Sequence, residues 1–180
     1  MSVYQPAEDS YLLQSVLKKY VKNKSVLDVG SGSGILAESA INYGAKSILA
    51  IDINPESIKI IKSKKIPCVK SNLFSKIKTS KKFDMIIFNP PYLPEDKKEP
   101  KPSALATTGG KHGDEIIIRF LKQVKYHLNK NGKILLTLSS LTPRKKIINL
   151  LIKLKLNCKR IAEKKLFFET LEVWEIHHNK

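Results

Sequence analysis

Cysteine is scarce in this chain: Cys68 and Cys158 are the only two in 180 residues, far apart and without metal-ligand spacing. That excludes a disulfide framework and predicts two buried thiols in a reducing cytoplasm. Long unbroken apolar runs are missing as well, although 42% of residues are hydrophobic, which predicts a soluble globular protein and no membrane association. The opening residues Met1-Ser2-Val3-Tyr4-Gln5-Pro6 lack the basic stretch and apolar segment of a secretory signal. Arginine occurs only at 119, 144 and 160, so the side chain best suited to reading bases and phosphates is nearly missing. The phosphate-loop pattern, Gly-x-x-x-x-Gly-Lys followed by Ser or Thr, does not occur, which argues against a nucleotide triphosphatase. Without repeats, low-complexity tracts or a composition break, the chain reads as one domain over 1–180, with a lead-in and helix over about 1–22.

Positive charge, in contrast, is abundant. The net charge of +17 comes almost wholly from lysine spread over every segment, often paired as in Lys18-Lys19, Lys64-Lys65, Lys81-Lys82 and Lys145-Lys146. Such dispersal reads as a solvated surface, with a basic face toward an RNA-associated partner as the alternative.

Along the chain, short apolar runs alternate with helical patterns. Strands are expected at Ser25–Val29, Ser47–Asp52, about Pro67–Lys70, Phe83–Phe88 and Lys133–Leu138. The last two, Cys158–Ala162 and Phe168–Ile176, are expected to form an antiparallel pair. Helical patterns carry Leu12 to Leu17, Ile35 to Ile41, Pro55 to Ile61, Ile116 to Leu128 and Thr142 to about Leu156, with Asp9 or Ser10 as a candidate cap for the first. Asn131-Gly132 is expected to turn the chain into the fifth strand, and Leu93–Lys111 reads as a long functional loop. The alternation predicts a mostly parallel sheet with helices on both faces, and such sheets bind ligands outside the carboxyl ends of their strands.

Four features fall at such ends. Gly30-Ser31-Gly32-Ser33-Gly34 makes a tight strand-to-helix turn, and Asp52, about 20 residues on, is placed to accept from ribose hydroxyls. Asp28 would oppose a pyrophosphate but suits a ligand with an ammonium or sulfonium, and S-adenosylmethionine carries both of these plus a ribose. Asn72 follows the third strand. Asn89-Pro90-Pro91-Tyr92 follows the fourth, where two prolines fix a planar amide and a flat aromatic at the end of a buried strand. Asn offers one acceptor and one donor group to another amide or an amino-heteroaromatic edge.

Val26-Leu27-Asp28-Val29-Gly30-Ser31-Gly32-Ser33-Gly34, Asp52-Ile53-Asn54-Pro55 and Asn89-Pro90-Pro91-Tyr92 together resemble a class I S-adenosylmethionine-dependent methyltransferase of the HemK (PrmC-like) type. Val3–Ser10 resembles the start of the short archaeal and eukaryotic branch, Gly109-Gly110-Lys111-His112-Gly113 its glycine loop, and Glu169-Thr170-Leu171 its C-terminal strand. The resemblance implies a Rossmann-like, seven-stranded α/β fold and methylation of the glutamine amide in the Gly-Gly-Gln motif of a peptide-chain release factor. It implies S-adenosylmethionine contacts from Tyr4, Pro6, Asp9, Ser10, Asp28, Gly30, Ser31, Gly32, Gly34, Asp52, Ile53, Asn72, Leu73 and Asn89. Asn89, Pro90 and Tyr92 are then catalytic, Asn89, Pro90, Pro91 and Tyr92 hold the substrate, and no metal is implied. Many methyltransferases carry Asp where Ser71-Asn72 stands, so Asn72 is expected to accept from the adenine amino group through its amide oxygen.

Related motifs also serve enzymes that methylate exocyclic amines of nucleic acids, which stays an alternative, as does a scaffold that binds the cofactor without turnover. The family resemblance further implies a small zinc-binding activator subunit. Its expected place is the edge formed by Ile66–Lys70, with Val69, Leu73, Phe74 and Ile77 leaving apolar surface to cover.

Overall fold

A computed structural model describes residues 3–95 and 107–179. Residues 96–106 of the expected Leu93–Lys111 loop, and the terminal residues 1, 2 and 180, lie outside them. Seven strands form one sheet in the order β3-β2-β1-β4-β5-β7-β6. They are β1 (Ser25–Val29), β2 (Ser47–Asp52), β3 (Cys68–Lys70), β4 (Phe83–Phe88), β5 (Leu128–Ser139), β6 (Leu156–Lys165) and β7 (Thr170–His178). The first five run parallel, and β7 inserts antiparallel between β5 and β6, as the terminal pairing predicted. The helices are α1 (Glu8–Leu17), α2 (Ile35–Asn42), α3 (Pro55–Ser63), α4 (Glu115–Val124) and α5 (Arg144–Lys153).

Both faces of the central strands are covered, which is why β4 reads as an almost continuous apolar run. Met85 and Ile87 point into the cluster under α1 and α2 with Leu13, Leu17, Val26 and Leu36. Ile86 and Phe88 point the other way, toward Ile117, Phe120 and Leu121 of α4 and Ile147 and Leu151 of α5. A switch in strand order occurs between β1 and β4, since β2 and β3 extend one way from β1 while β4 and β5 extend the other. That is where a doubly wound sheet leaves a crevice.

Four local expectations give way. Asn131-Gly132 is not a turn into β5 but part of it: Phe83 pairs with Leu128 and Met85 with Lys133, so the intervening residues bulge out of the ladder. Phe74 and Ile77 are core residues and do not leave apolar surface at the β3 edge; Phe74 stacks on His127 with ring centroids 4.6 Å apart. The first helix begins at Glu8 with Ala7 as its cap residue and no side-chain cap bond, because the Asp9 carboxylate is occupied elsewhere. Cys68 is half-buried and Cys158 exposed, so neither is the buried thiol that composition suggested.

The β5 bulge is held by one carboxylate. Asp84 Oδ1 accepts from Asn129 Nδ2 at 2.7 Å, and its Oδ2 accepts from the Ser25 backbone N–H at 2.9 Å and the Ser25 hydroxyl at 2.7 Å. The Ser25 N–H foremost holds the Asp84 carboxyl below the ordinary carboxylate range. Asp84→Ala is therefore expected to cost about 1–3 kcal/mol at pH 7. Because the folded-state pKa is depressed, that contribution exists above the unfolded value near pH 4 and is lost as pH falls through the folded one. Urea unfolding at pH 7 and pH 2.5 should show the gap between wild type and variant closing at acid pH.

Candidate active site

At the carboxyl ends of the parallel strands lies a cavity of about 410 Å³. Its floor is the glycine turn after β1. Gly30, Gly32 and Gly34 have φ of +63°, +52° and +81°, values that favour glycine, and the turn packs close against Phe88. Asp52 at the end of β2 clamps this turn. Its Oδ2 accepts from the Gly32 N–H at 2.8 Å and its Oδ1 from the Asn54 N–H at 2.7 Å. The Ile53 N–H and the Ser57 hydroxyl also donate to this carboxylate. Burial raises the Asp52 pKa from its ordinary value, against those backbone donors.

The opposite wall is Asn89-Pro90-Pro91-Tyr92, carried out of β4. Asn89 Nδ2 donates to Ser10 Oγ at 3.3 Å, which fixes the orientation of the amide. Its Oδ1 is buried and has no partner among the described residues. A buried acceptor left unpaired costs about 1–3 kcal/mol, so it marks a place where a donor belongs. The backbone carbonyl of Tyr92 accepts from Thr142 Oγ1 at 3.3 Å, which pins the motif from behind. Behind it also lies the glycine loop: a Cβ on Gly109 would stand 2.7 Å from the Pro91 carbonyl oxygen, and one on Gly113 2.5 Å from that of Tyr92. Those contacts are a physical reason for glycine at both positions. His112 is exposed, its backbone N–H donating to Glu115, and takes no part in the cavity.

An N-terminal arm closes the top. Tyr4 Oη donates to the Asp9 carboxylate at 2.9 Å, and Tyr92 Oη reaches the same carboxylate at 3.4 Å. Burial above all, then the Asp9 charge, pushes both phenols above their ordinary range, so they remain protonated donors. At the far end, Asn72 Oδ1 accepts from Arg119 Nη2 at 3.1 Å. The acceptor expected to serve an adenine amino group is thus already partly engaged.

Of the residues picked out in the sequence, Tyr4, Pro6, Asp9, Ser10, Gly30, Ser31, Gly32, Asp52, Ile53, Asn72, Leu73, Asn89, Pro90, Pro91 and Tyr92 all line this one cavity. Two do not. Gly34 caps α2, where a Cβ would press on Ile61 at 3.3 Å. Asp28 lies wholly buried beneath the turn. Among the described residues neither of its carboxylate oxygens has a hydrogen bond of ordinary geometry, and the Ser31 hydroxyl and the Ala37 N–H approach it only closely enough to offset burial in part. The sequence reading missed Asn54 and Ser57 at the start of α3, Ser71 after β3 and Phe88 of β4, together with Ile116 and Arg119 on α4. The apolar spacing of α4 placed Ile116 on a helix but did not show which cavity that helix borders.

A doubly wound sheet with a glycine turn, an acid after β2 and an amide-presenting Asn-Pro-Pro-Tyr at the switch point defines a class I methyltransferase. The sequence profile of the family described as "Methyltransferase small domain" matches residues 5–168, and the chain belongs to that family. A protein of Methanocaldococcus jannaschii that carries the provisional name protein N5-glutamine methyltransferase is 41% identical over 179 residues, covering 95% of this chain and 89% of that one. Human methyltransferase HEMK2 is 30% identical, over 72% of this chain and 68% of its own. The release factor glutamine methyltransferase of Koribacter versatilis is 34% identical over 69% of this chain, but the match spans only half of that longer protein. Among solved structures, Mtq2 in the E. cuniculi Mtq2–Trm112 complex, described as methylating the eRF1 termination factor, shares the fold. Its TM-score is 0.81 at 23% identity, over 99% of this chain and 100% of that one. The HemK-type resemblance and the seven-stranded Rossmann-like fold are borne out.

Asp28 makes the site sensitive to pH. Burial, with the Asp52 charge adding to it, pushes its pKa up from 3.8 to about 7. A carboxyl raised in the folded state favours folding while protonated. Its contribution is fully present below pH 4 and lost as pH rises through about 7. Asp28→Asn keeps the shape and removes the titration. Between pH 4.5 and pH 8, wild type should lose about 2–4 kcal/mol relative to the variant in denaturant unfolding. Parallel pH profiles would show instead that Asp28 is charged throughout.

Proposed function

We propose that this chain, acting as one domain in a reducing cytoplasm, methylates the side-chain amide nitrogen of the glutamine in the Gly-Gly-Gln motif of a release factor. The observation that carries this reading is the buried Oδ1 of Asn89 at the cavity wall, which has no partner among the described residues. The residues also fit the group the family uses. Asp52 offers acceptors for a ribose, the Gly30–Gly32 turn exposes backbone to a close approach, and Asn72, Leu73 and Arg119 border the end left for adenine. Bound S-adenosylmethionine supplies a methyl group on a sulfonium, an electrophile strong enough for a weak nucleophile.

An amide nitrogen is such a nucleophile, because its lone pair is delocalised into the carbonyl. Asn89 Oδ1 and the Pro90 carbonyl accept its two N–H groups, and Tyr92 packs on the face of the amide. These contacts aim the lone pair into the cavity and favour a pyramidal nitrogen. Asn89 Nδ2, steadied by Ser10, has a second hydrogen to give to the substrate carbonyl. The N–C bond forms as the methyl–sulfur bond breaks, its electron pair leaving with sulfur as a neutral thioether. The nitrogen then becomes acidic and releases its proton to water, so no strong base is required. Alignment of this kind supplies about 7–11 kcal/mol of barrier reduction. Asn89→Ala should lower turnover by about 10²–10³ while leaving cofactor affinity nearly unchanged. Transfer of a labelled methyl to release factor, beside calorimetry with S-adenosylmethionine, measures both. A variant that keeps a tenth of the wild-type rate, or label entering total RNA instead, refutes the assignment.

A small zinc-binding activator along β3 belongs to the same reading. β3 is a sheet edge of three residues, with Cys68 and Val69 half-buried and Pro67 and Lys70 exposed. The Mtq2 structure was solved with a second protein, Trm112. With Phe74 and Ile77 committed to the core, the added strand gains mainly backbone hydrogen bonds at this edge. Cys68→Pro removes an edge N–H and should weaken the heterodimer at least tenfold by light scattering or calorimetry. A chain that stays monomeric with the activator and is fully active alone would retire the proposal.

A further inference from the structure

The β6–β7 hairpin ends in Phe167 and Phe168, which are 92% and 84% exposed with ring centroids 4.6 Å apart in an edge-to-face pair. Hairpin tips ordinarily carry Gly, Asn, Asp or Ser. Neither phenylalanine has a positive φ, and neither ring fills a core, so the fold gains nothing from them. Their position is the informative part. β7 runs antiparallel to β5, pairing Leu171 with Ser139, so the tip projects from the rim of the sheet that holds the cavity.

The tip is also tied to that rim. Ser139 Oγ donates to Glu169 Oε2, the Ser140 N–H to the Thr170 carbonyl at 2.8 Å, and the Thr170 N–H to Ser140 Oγ at 3.0 Å. Two residues on, Thr142 holds the Tyr92 carbonyl. On the other strand of the hairpin, Lys164 pairs with Glu8, next to Asp9 of the arm. The Glu169 charge contributes to the raised pKa of both Tyr4 and Tyr92.

We propose that Phe167 and Phe168 are the docking anchor for the protein substrate, entering an apolar depression on the release factor beside its acceptor glutamine. The proposal rests on the release-factor reading above. Geometry supports the occupant: Asn89 is level with Val173, two strand spacings or about 10 Å across the sheet. Phe168 lies five residues, about 17 Å, farther toward the same rim, so the tip stands about 20 Å from Asn89. A standard interface covers about 800 Å² per partner, a disc of radius about 16 Å. Such a disc spans both Asn89 and the tip when it is centred between them, so a folded protein docked over this rim contacts the two phenylalanines. Exposed aromatics inside such a footprint are the residues that dominate binding. Electrostatics favour protein over nucleic acid here. Lys164 is paired with Glu8, Arg160 with Glu163 and Glu172, and Glu169, the next residue after Phe168, adds a carboxylate held by Ser139.

The test compares wild type, Phe167→Ser/Phe168→Ser and Phe167→Leu/Phe168→Leu, all with the activator present. Substrates are intact release factor and a short Gly-Gly-Gln peptide. The serine variant should raise KM for the intact factor about 10- to 100-fold, with kcat, cofactor affinity and peptide turnover unchanged. The leucine variant should recover part of the loss. An unchanged KM, a fall confined to kcat, or a wild-type dimer that the serine variant dissociates overturns the anchor while leaving the function intact. Wild type that labels RNA and no release factor overturns both.

Discussion

Val29 pairs with Phe88 across β1 and β4, and that one register sets the two walls of the cavity. Gly30 and Asn89 leave the sheet side by side at the point where the strand order reverses. Shifting the register by one residue would turn Phe88 out of the core beside Phe120 and carry Asn89 away from Ser10. The ladder is protected because β1 and β4 are buried on both faces, where slippage exposes apolar surface at about 25 cal/mol for each Å². Rigidity at the site is therefore inherited from the middle of the sheet.

Around that register the polar groups work as paired clamps. Asp52 joins the glycine turn to the start of α3, and Asp9 joins the N-terminal arm to Tyr4 and Tyr92. Farther out, Glu172 takes Arg144, Arg160 and the Trp174 indole N–H on β7, while Glu175 takes Lys133 and Lys159. A chain with 33 basic and 16 acidic residues spends several of its acids on holding structure. What remains outside is overwhelmingly positive, which favours solubility and leaves association sensitive to salt.

Much of this was legible in the sequence, for physical reasons. Strand-length apolar runs ending in Asp52, Asn72 and Asn89 must place those polar residues at the carboxyl rim, because a parallel sheet has only one such rim. Contacts made by distant chain were not legible. Phe74 looked like a surface residue beyond β3 until His127 and Phe120 stacked around it. Asn131-Gly132 has the composition of a turn, yet the tie from Asp84 to Asn129 keeps the chain in the ladder through a bulge. Arg119 and Ile116 stand on a helix whose rotation only the packed core sets. Asp28, grouped with the ligand residues because it precedes the glycines, is buried because alternation puts it on the Val26 face of a strand covered on both sides.

The reversal at β7 also separates the two ends of the chain. Tyr4 sits over the cavity, whereas His178 pairs with Leu156 at the opposite rim, beyond the His177–Lys133 pair near the amino ends of the parallel strands. Anything joined ahead of Tyr4 is thus delivered to the mouth of the site, and anything joined after His178 emerges on the far side of the sheet. For handling the protein this asymmetry is practical: a tether, fluorophore or purification tag belongs at the C-terminus. An N-terminal one would compete for the space that an incoming macromolecule must occupy.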